Sequence, residues 1–204
     1  MKINEYNCAV KHFLVNDVLI YELLSKYGPI ELKMRRNYFL NLTKSIIGQQ
    51  LSIQSARAIN IKFMTYFNNK ITPEEVNKTS IETLRSIGLS NGKAKYVKDL
   101  AEKILSKELN LNGIGKENDD KIMDSLTKVK GIGSWTVHMF LMFVLGRKNI
   151  LAIGDLGIKK AIMLNYRLKN LPSSEEVLNI SEINNWAPYN SYACMILWNS
   201  ISGN

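Results

Sequence analysis

Two glycine-bearing segments hold the residues whose types and spacing suit chemistry. The first reads Leu126-Thr127-Lys128-Val129-Lys130-Gly131-Ile132-Gly133-Ser134-Trp135-Thr136-Val137, two glycines around one apolar residue with a helical pattern on either side. Glycine admits positive φ and lets another molecule approach the backbone closely. The amides that follow Gly133, from Ser134 to Thr136, open a helix, where unpaired N–H groups and the helix dipole favour an anion. Lys128 and Lys130 add positive charge beside them, so a phosphate suits this place. Hairpin carbonyls, here those of Thr127, Val129 and Ile132, also suit a monovalent cation (Na+ or K+) that bridges to the phosphate. An ordinary helix–helix turn with a Schellman glycine explains the same residues without a ligand, and the spacing leaves both readings open. The second segment, Leu151-Ala152-Ile153-Gly154-Asp155-Leu156-Gly157-Ile158-Lys159-Lys160, sets an aspartate between glycines at the mouth of a helix. Asp155 suits an N-cap. The same carboxylate suits stabilisation of positive charge developing on a sugar, with alignment of a water.

Both segments need helices around them, and helical periodicity dominates the chain. The stretch 17–27 starts on an aspartate cap and stops before Gly28-Pro29. Residues 37–67 read as two helices broken around Gly48-Gln49-Gln50-Leu51-Ser52. Thr72-Pro73-Glu74-Glu75 has cap, proline and acids in N-terminal order. Ser80 opens a short helix that Gly88 closes, and 92–107 carries an apolar stripe of Ala94, Val97, Leu100, Ala101, Ile104 and Leu105. Residues 110–118 read as a loop, and 119–129, 134–146, 155–168, 174–184 and 189–201 as helices. No pair of alternating runs is joined by an Asn-Gly or Asp-Gly turn. The expectation is an all-α protein of roughly ten short helices.

Composition bounds the function. The 204 residues carry 27 Lys+Arg against 18 Asp+Glu, a net charge of +9, with no basic tail to account for the excess. Spread basicity suits a polyanion, although a surface of solvated lysines gives the same count. No run of 18 apolar residues is present, so no bilayer span is expected. Glu5, Asn7, His12 and Asn16 interrupt the start where a signal peptide needs an apolar stretch, which predicts a cytoplasmic protein. Two cysteines, Cys8 and Cys194, make neither a disulfide framework nor a four-thiolate site. His12 and His138 lack metal-ligand spacing, and His138 reads as a core or interface residue.

The glycine hairpin followed by Gly154-Asp155 resembles the helix-hairpin-helix (HhH-GPD) DNA glycosylases, and further segments resemble their 3-methyladenine DNA glycosylase II branch. These are Ile46-Ile47-Gly48-Gln49-Gln50-Leu51-Ser52, Leu84-Arg85-Ser86-Ile87-Gly88-Leu89-Ser90 with Lys93-Ala94, and Trp186-Ala187-Pro188-Tyr189-Asn190-Ser191-Tyr192-Ala193 ending at Trp198. They run in the family's order from about residue 16 to 200. The resemblance implies two helical lobes with the helix-hairpin-helix at the cleft between them. One would be a six-helix bundle over 36–145 with the hairpin at about 122–145; the other would combine 1–35 with 146–204. No N-terminal β domain is expected.

The resemblance also implies a reaction, hydrolysis of the N-glycosidic bond of an alkylated purine flipped out of duplex DNA, leaving an abasic site. Asp155 matches the catalytic aspartate. Trp135 stands where bifunctional relatives carry a lysine nucleophile, which implies a monofunctional hydrolase. Trp135 and Trp198 match places at the base pocket, where an indole face suits a cationic base, and core packing is the other reading of each. Trp186 reads as core. Gln50, with Leu51 as the fallback, lies where relatives fill the gap left by the flipped base. Gln49 and Gln50 also suit capping of the bend between two helices. Leu156 and Met139 stand where some relatives have aromatics, which makes the pocket less aromatic. One C-terminal cysteine excludes the iron–sulfur cluster of another branch. The implied partner is double-stranded DNA with a damaged base, and the implied state a monomer. The alternatives are a non-catalytic module that binds distorted DNA, or a glycosylase for hypoxanthine, ethenoadenine or 8-oxoguanine.

Overall fold

The computed structural model describes residues 5–202. Among them are twelve α-helices, a 3-10 turn at Ile114–Lys116 and no strand. In chain order the helices are α1 (Glu5–Asn16), α2 (Val18–Tyr27), α3 (Tyr38–Gly48), α4 (Ile53–Tyr66), α5 (Pro73–Lys78), α6 (Ile81–Ser86), α7 (Asn91–Leu105), α8 (Asp119–Leu126), α9 (Ser134–Phe143), α10 (Leu156–Asn165), α11 (Ser174–Ile183) and α12 (Asn190–Ile201). The protein is all-α. Side-chain caps set most of the starts: Asp17, Ser52, Thr72, Ser80, Ser90, Asn118, Asp155 and Ser173 each accept a first-turn N–H, and Ser173 forms a capping box with Glu176. The helix absent from the sequence reading is α1. Only Ala9 and Phe13, one turn apart, are buried in it, so its apolar stripe is narrow.

The chain forms two compact units, residues 1–34 with 141–204 and residues 35–140. Helices α3 to α9 fall within the 36–145 expected for one lobe, seven where six were expected, and the unit boundary lies inside α9. In the unit of residues 35–140, α7 is the hub against which α3, α5 and α6 pack, with α4 on α3. It buries Ala94, Val97, Leu100 and Ala101 from the predicted stripe, whereas Leu105 at its end is exposed. Gly88 adopts φ +119° just past α6, a turn conformation that disfavours any side chain. In the other unit, α12 packs on α2 and α10, α1 on α2 and α11 on α10. Trp186 is fully buried there.

The centre of that unit is polar at one point. Asp17 is 5% exposed, and its carboxylate accepts hydrogen bonds from Ile20 N at 3.2 Å, Trp186 Nε1 at 2.7 Å and the Tyr166 hydroxyl. Burial first, and then the Asp17 charge, push the Tyr166 hydroxyl well above the ordinary phenol range. Burial also raises Tyr6, and lifts Tyr192 to about 12. An unfolded chain releases tyrosine protons near pH 10, before the folded chain does. The stabilisation is therefore complete below about pH 10 and drains away as the pH climbs through the raised folded values. Denaturant midpoints are expected to fall steadily above pH 10, and Tyr166→Phe to flatten that fall.

Candidate active site

In the unit of residues 35–140, the hairpin between α8 and α9 is anchored from two sides. Val129 and Ile132 are buried, and the carbonyl of Val129 accepts the Ile132 N–H at 3.0 Å to close the turn. Gly131 takes φ +81°, and a Cβ there would lie 2.2 Å from Cδ2 of Tyr96, so conformation and close approach both demand glycine. Asp99 accepts the Lys130 backbone N–H at 2.9 Å and stands 3.7 Å from the Lys130 ammonium. Gln49 donates through Nε2 to the Gly131 carbonyl at 2.7 Å and to Thr136 Oγ1 at 3.2 Å. The Gln49 carbonyl in turn accepts from Lys93 Nζ at 2.7 Å, and the same ammonium reaches the Ile47 carbonyl at 2.8 Å. Burial lowers the Lys93 ammonium from its usual value. The bend after α3 is thereby tied to the hairpin, with Gln50 exposed in the left-handed region at φ 55° and Leu51 exposed beside it.

The hairpin's outward residues are those that suit a phosphate. Thr127, Lys128, Lys130, Gly131, Gly133 and Ser134 are exposed. Gly133 differs from Gly131: its φ is not positive, and a Cβ would meet nothing within 4 Å. Among the described residues no protein atom requires glycine there. Thr136 is 3% exposed and its hydroxyl is engaged by Gln49, so only its backbone belongs with the opening amides of α9. The carbonyls of Thr127, Val129 and Ile132 are oxygen donors of the kind that hard cations take. Trp135 is 46% exposed on α9, with Met139 one turn on and half-buried. His138 lies between them in sequence, half-buried, and burial lowers its imidazole, which favours the neutral form.

In the unit of residues 1–34 and 141–204, Asp155 caps α10. Its Oδ1 accepts from Ile158 N at 2.8 Å and from Trp198 Nε1 at 2.9 Å. Trp198, half-buried on α12, stacks on Phe143 with centroids 5.8 Å apart and planes 29° from parallel. Leu156 is 53% exposed beside the carboxylate. Asp155 is thus an N-cap and something further, since capping alone does not call on α12. Tyr96, Asp99, Lys93 and Gly157 escaped the sequence reading as site residues. The signal that could have found the first three is their i, i+3, i+6 spacing along α7, beside the apolar stripe.

Cys194 is buried, its thiol pushed up to about 12 by burial and lying 3.8 Å from the Ile150 carbonyl; Cys8 is half-buried, and both are free thiols. Among the described residues no three His, Cys, Asp or Glu side chains cluster to hold a metal, and no helix is long and apolar enough to cross a membrane.

Comparison with known proteins decides the family. The model of the HhH-GPD superfamily base excision DNA repair proteins matches residues 43–185. The chain belongs to that superfamily. A relative, DNA-3-methyladenine glycosylase 1 of Schizosaccharomyces pombe, is 31% identical over 182 residues, 88% of this chain and 79% of that one. The solved structure of S. pombe 3-methyladenine DNA glycosylase (Mag1) in complex with abasic DNA superposes with a TM-score of 0.83 at 30% identity, over 95% of this chain and 96% of that one. The solved DNA-3-methyladenine glycosidase of Bacillus halodurans gives 0.82 at 30% identity, over 96% and 89%. The chain spans 58% of the length of the Bacillus subtilis protein YfjP, to which it is 34% identical.

Proposed function

We propose that this HhH-GPD protein is a monofunctional DNA glycosylase that excises alkylated purines, of the 3-methyladenine and 7-methylguanine type, from duplex DNA and leaves an abasic site. The observation that carries the reading is the Asp155 carboxylate, held by two N–H donors at the mouth of α10 in a chain of this family. A binding-only module has no use for such a group, because a carboxylate near DNA repels phosphate. The relatives named as 3-methyladenine glycosylases support the substrate class.

In the reaction the target base leaves the stack and the C1′–N bond breaks heterolytically, with its electron pair departing on the base. An alkylated purine is already cationic, so it leaves neutral and needs no strong general acid. Asp155 stabilises the oxocarbenium-like sugar and aligns the water whose oxygen adds to C1′, the proton that water loses passing to the carboxylate and on to solvent. The hairpin amides and Lys128 hold a backbone phosphate. The Lys130 charge is shared with Asp99 and contributes less. The carbonyls of Thr127, Val129 and Ile132 would hold a Na+ or K+, which would add positive charge for that phosphate. Gln50 fills the vacated place in the stack, with Leu51 beside it. Trp135, exposed, and Met139, half-buried, are apolar side chains on α9 that suit a base. With tryptophan rather than lysine at 135, no Schiff base forms and the strand stays intact. The enzyme works as a monomer in the compartment that holds the DNA.

Incubation with methylated duplex DNA tests this. Methylpurines are expected to be released and the strand to break only after alkali. Nicking without alkali would replace the hydrolase by a lyase, and intact binding without release, across a wide lesion panel, would favour the binding module.

A further inference from the structure

We infer that Trp198 is a positioning residue for catalysis: its indole N–H fixes the Asp155 carboxylate, and Gly157 is glycine so that the two can meet. This rests on the role proposed for Asp155. An N-cap needs one donor, and Ile158 N supplies it at 2.8 Å. The second donor comes from 43 residues away, Trp198 Nε1 at 2.9 Å to the same oxygen. A capping carboxylate still turns about its side-chain torsions; two donors converging on one oxygen from different helices remove that freedom. Trp198 is itself held, stacked on Phe143 at 5.8 Å.

Gly157 gives independent support. It is not in the positive-φ region, so its backbone conformation does not demand glycine. A Cβ there would lie 3.0 Å from Asp155 Oδ1 and 3.0 Å from both Cδ1 and Nε1 of Trp198. Any side chain would wedge into the contact. Gly154, on the other side of Asp155, shows no such crowding, with nothing within 4 Å of its Cβ position. The second glycine of the Gly-Asp-Leu-Gly segment is therefore explained by the indole–carboxylate contact, not by turn geometry. The competing view is that Trp198 only fills the core and its N–H finds a convenient acceptor.

Two abasic analogues in duplex DNA separate these views, a neutral tetrahydrofuran and a pyrrolidine that is protonated and mimics the cationic sugar. The wild-type protein is expected to prefer the pyrrolidine. Trp198→Phe keeps an aromatic ring, smaller than indole, against Phe143 and removes the donor. It is expected to lose about 10-fold of that preference and to slow single-turnover release of 7-methylguanine about 10- to 100-fold, the scale of one hydrogen bond to a charged group. Its affinity for tetrahydrofuran DNA stays near wild type. Any loss of stability from the smaller ring does not move the ratio of the two affinities. Gly157→Ala approaches the contact from the other side and is expected to give the same pattern, so it decides the matter where Trp198→Phe folds poorly. If both variants keep the wild-type preference and rate while Asp155→Asn loses both, Trp198 is structural and the inference is overturned. If Asp155→Asn also keeps both, the proposed role of Asp155 fails first, and the inference falls with it.

Discussion

Asp155→Asn is expected to slow base release by about 10³-fold or more while leaving the fold and duplex binding intact. Both hydrogen bonds described for this side chain end on one atom, Oδ1, which receives Ile158 N and Trp198 Nε1. The amide oxygen of asparagine can take the same two donors, and asparagine caps helices as well as aspartate does. What disappears is the charge. A full charge about 4 Å from a developing sugar cation is worth roughly 4 kcal/mol at an effective dielectric near 20, or about three decades in rate. Affinity for damaged duplex is expected to hold or rise, because a negative group has left a surface that meets phosphate. Single-turnover release at saturating enzyme, measured beside equilibrium binding, checks both halves. Retained turnover would move the chemistry to another residue. Asp155→Ala is the less informative choice, since it also removes the cap, at a cost of about 1 kcal/mol.

The fold was legible wherever one short stretch carries its own start and stop. Asp17, Ser52, Thr72-Pro73, Ser80 and Asn118 each announce a helix within four residues, and the structure begins helices there. The helix that sequence did not announce, α1, buries two side chains only. The candidate site divides in the same way. Asp155 and the hairpin glycines are visible because helix mouths and glycine turns are local. Gln49 reads in sequence only as a capping group for the bend, and only the fold places its amide against Gly131, 82 residues away. Tyr96 and Asp99 are ordinary members of an amphipathic helix until the hairpin is laid on them. Gly131 and Gly133 look equivalent in sequence, yet one is demanded by a tyrosine ring and left-handed backbone and the other by no protein atom. Partners that the chain brings from far away carry no signature in a single sequence.

Asp17 shows how much such a distant partnership can weigh, and Asp17→Ala is expected to cost about 4 kcal/mol of folding stability. Sequence gives Asp17 the role of a helix cap, worth about 1 kcal/mol. The structure adds the Tyr166 hydroxyl and Trp186 Nε1, both donating to Oδ2, from 149 and 169 residues along the chain. Alanine would leave three donors at a point where water does not replace the carboxylate, and removing one partner of a buried charged network typically costs roughly 3–5 kcal/mol. For a chain of this size that is a fall in Tm of about 8–16 °C. Asp17→Asn is expected to fall between wild type and alanine. At Asp17 the donors are divided, Ile20 N on Oδ1 and the two side chains on Oδ2. One amide oxygen cannot serve both sides, so an NH2 group must face a donor. Thermal melts of Asp17→Asn beside wild type and Asp17→Ala check the order. A Tm for Asp17→Asn equal to that of wild type would show that the divided donors around Asp17 are not what holds this unit together.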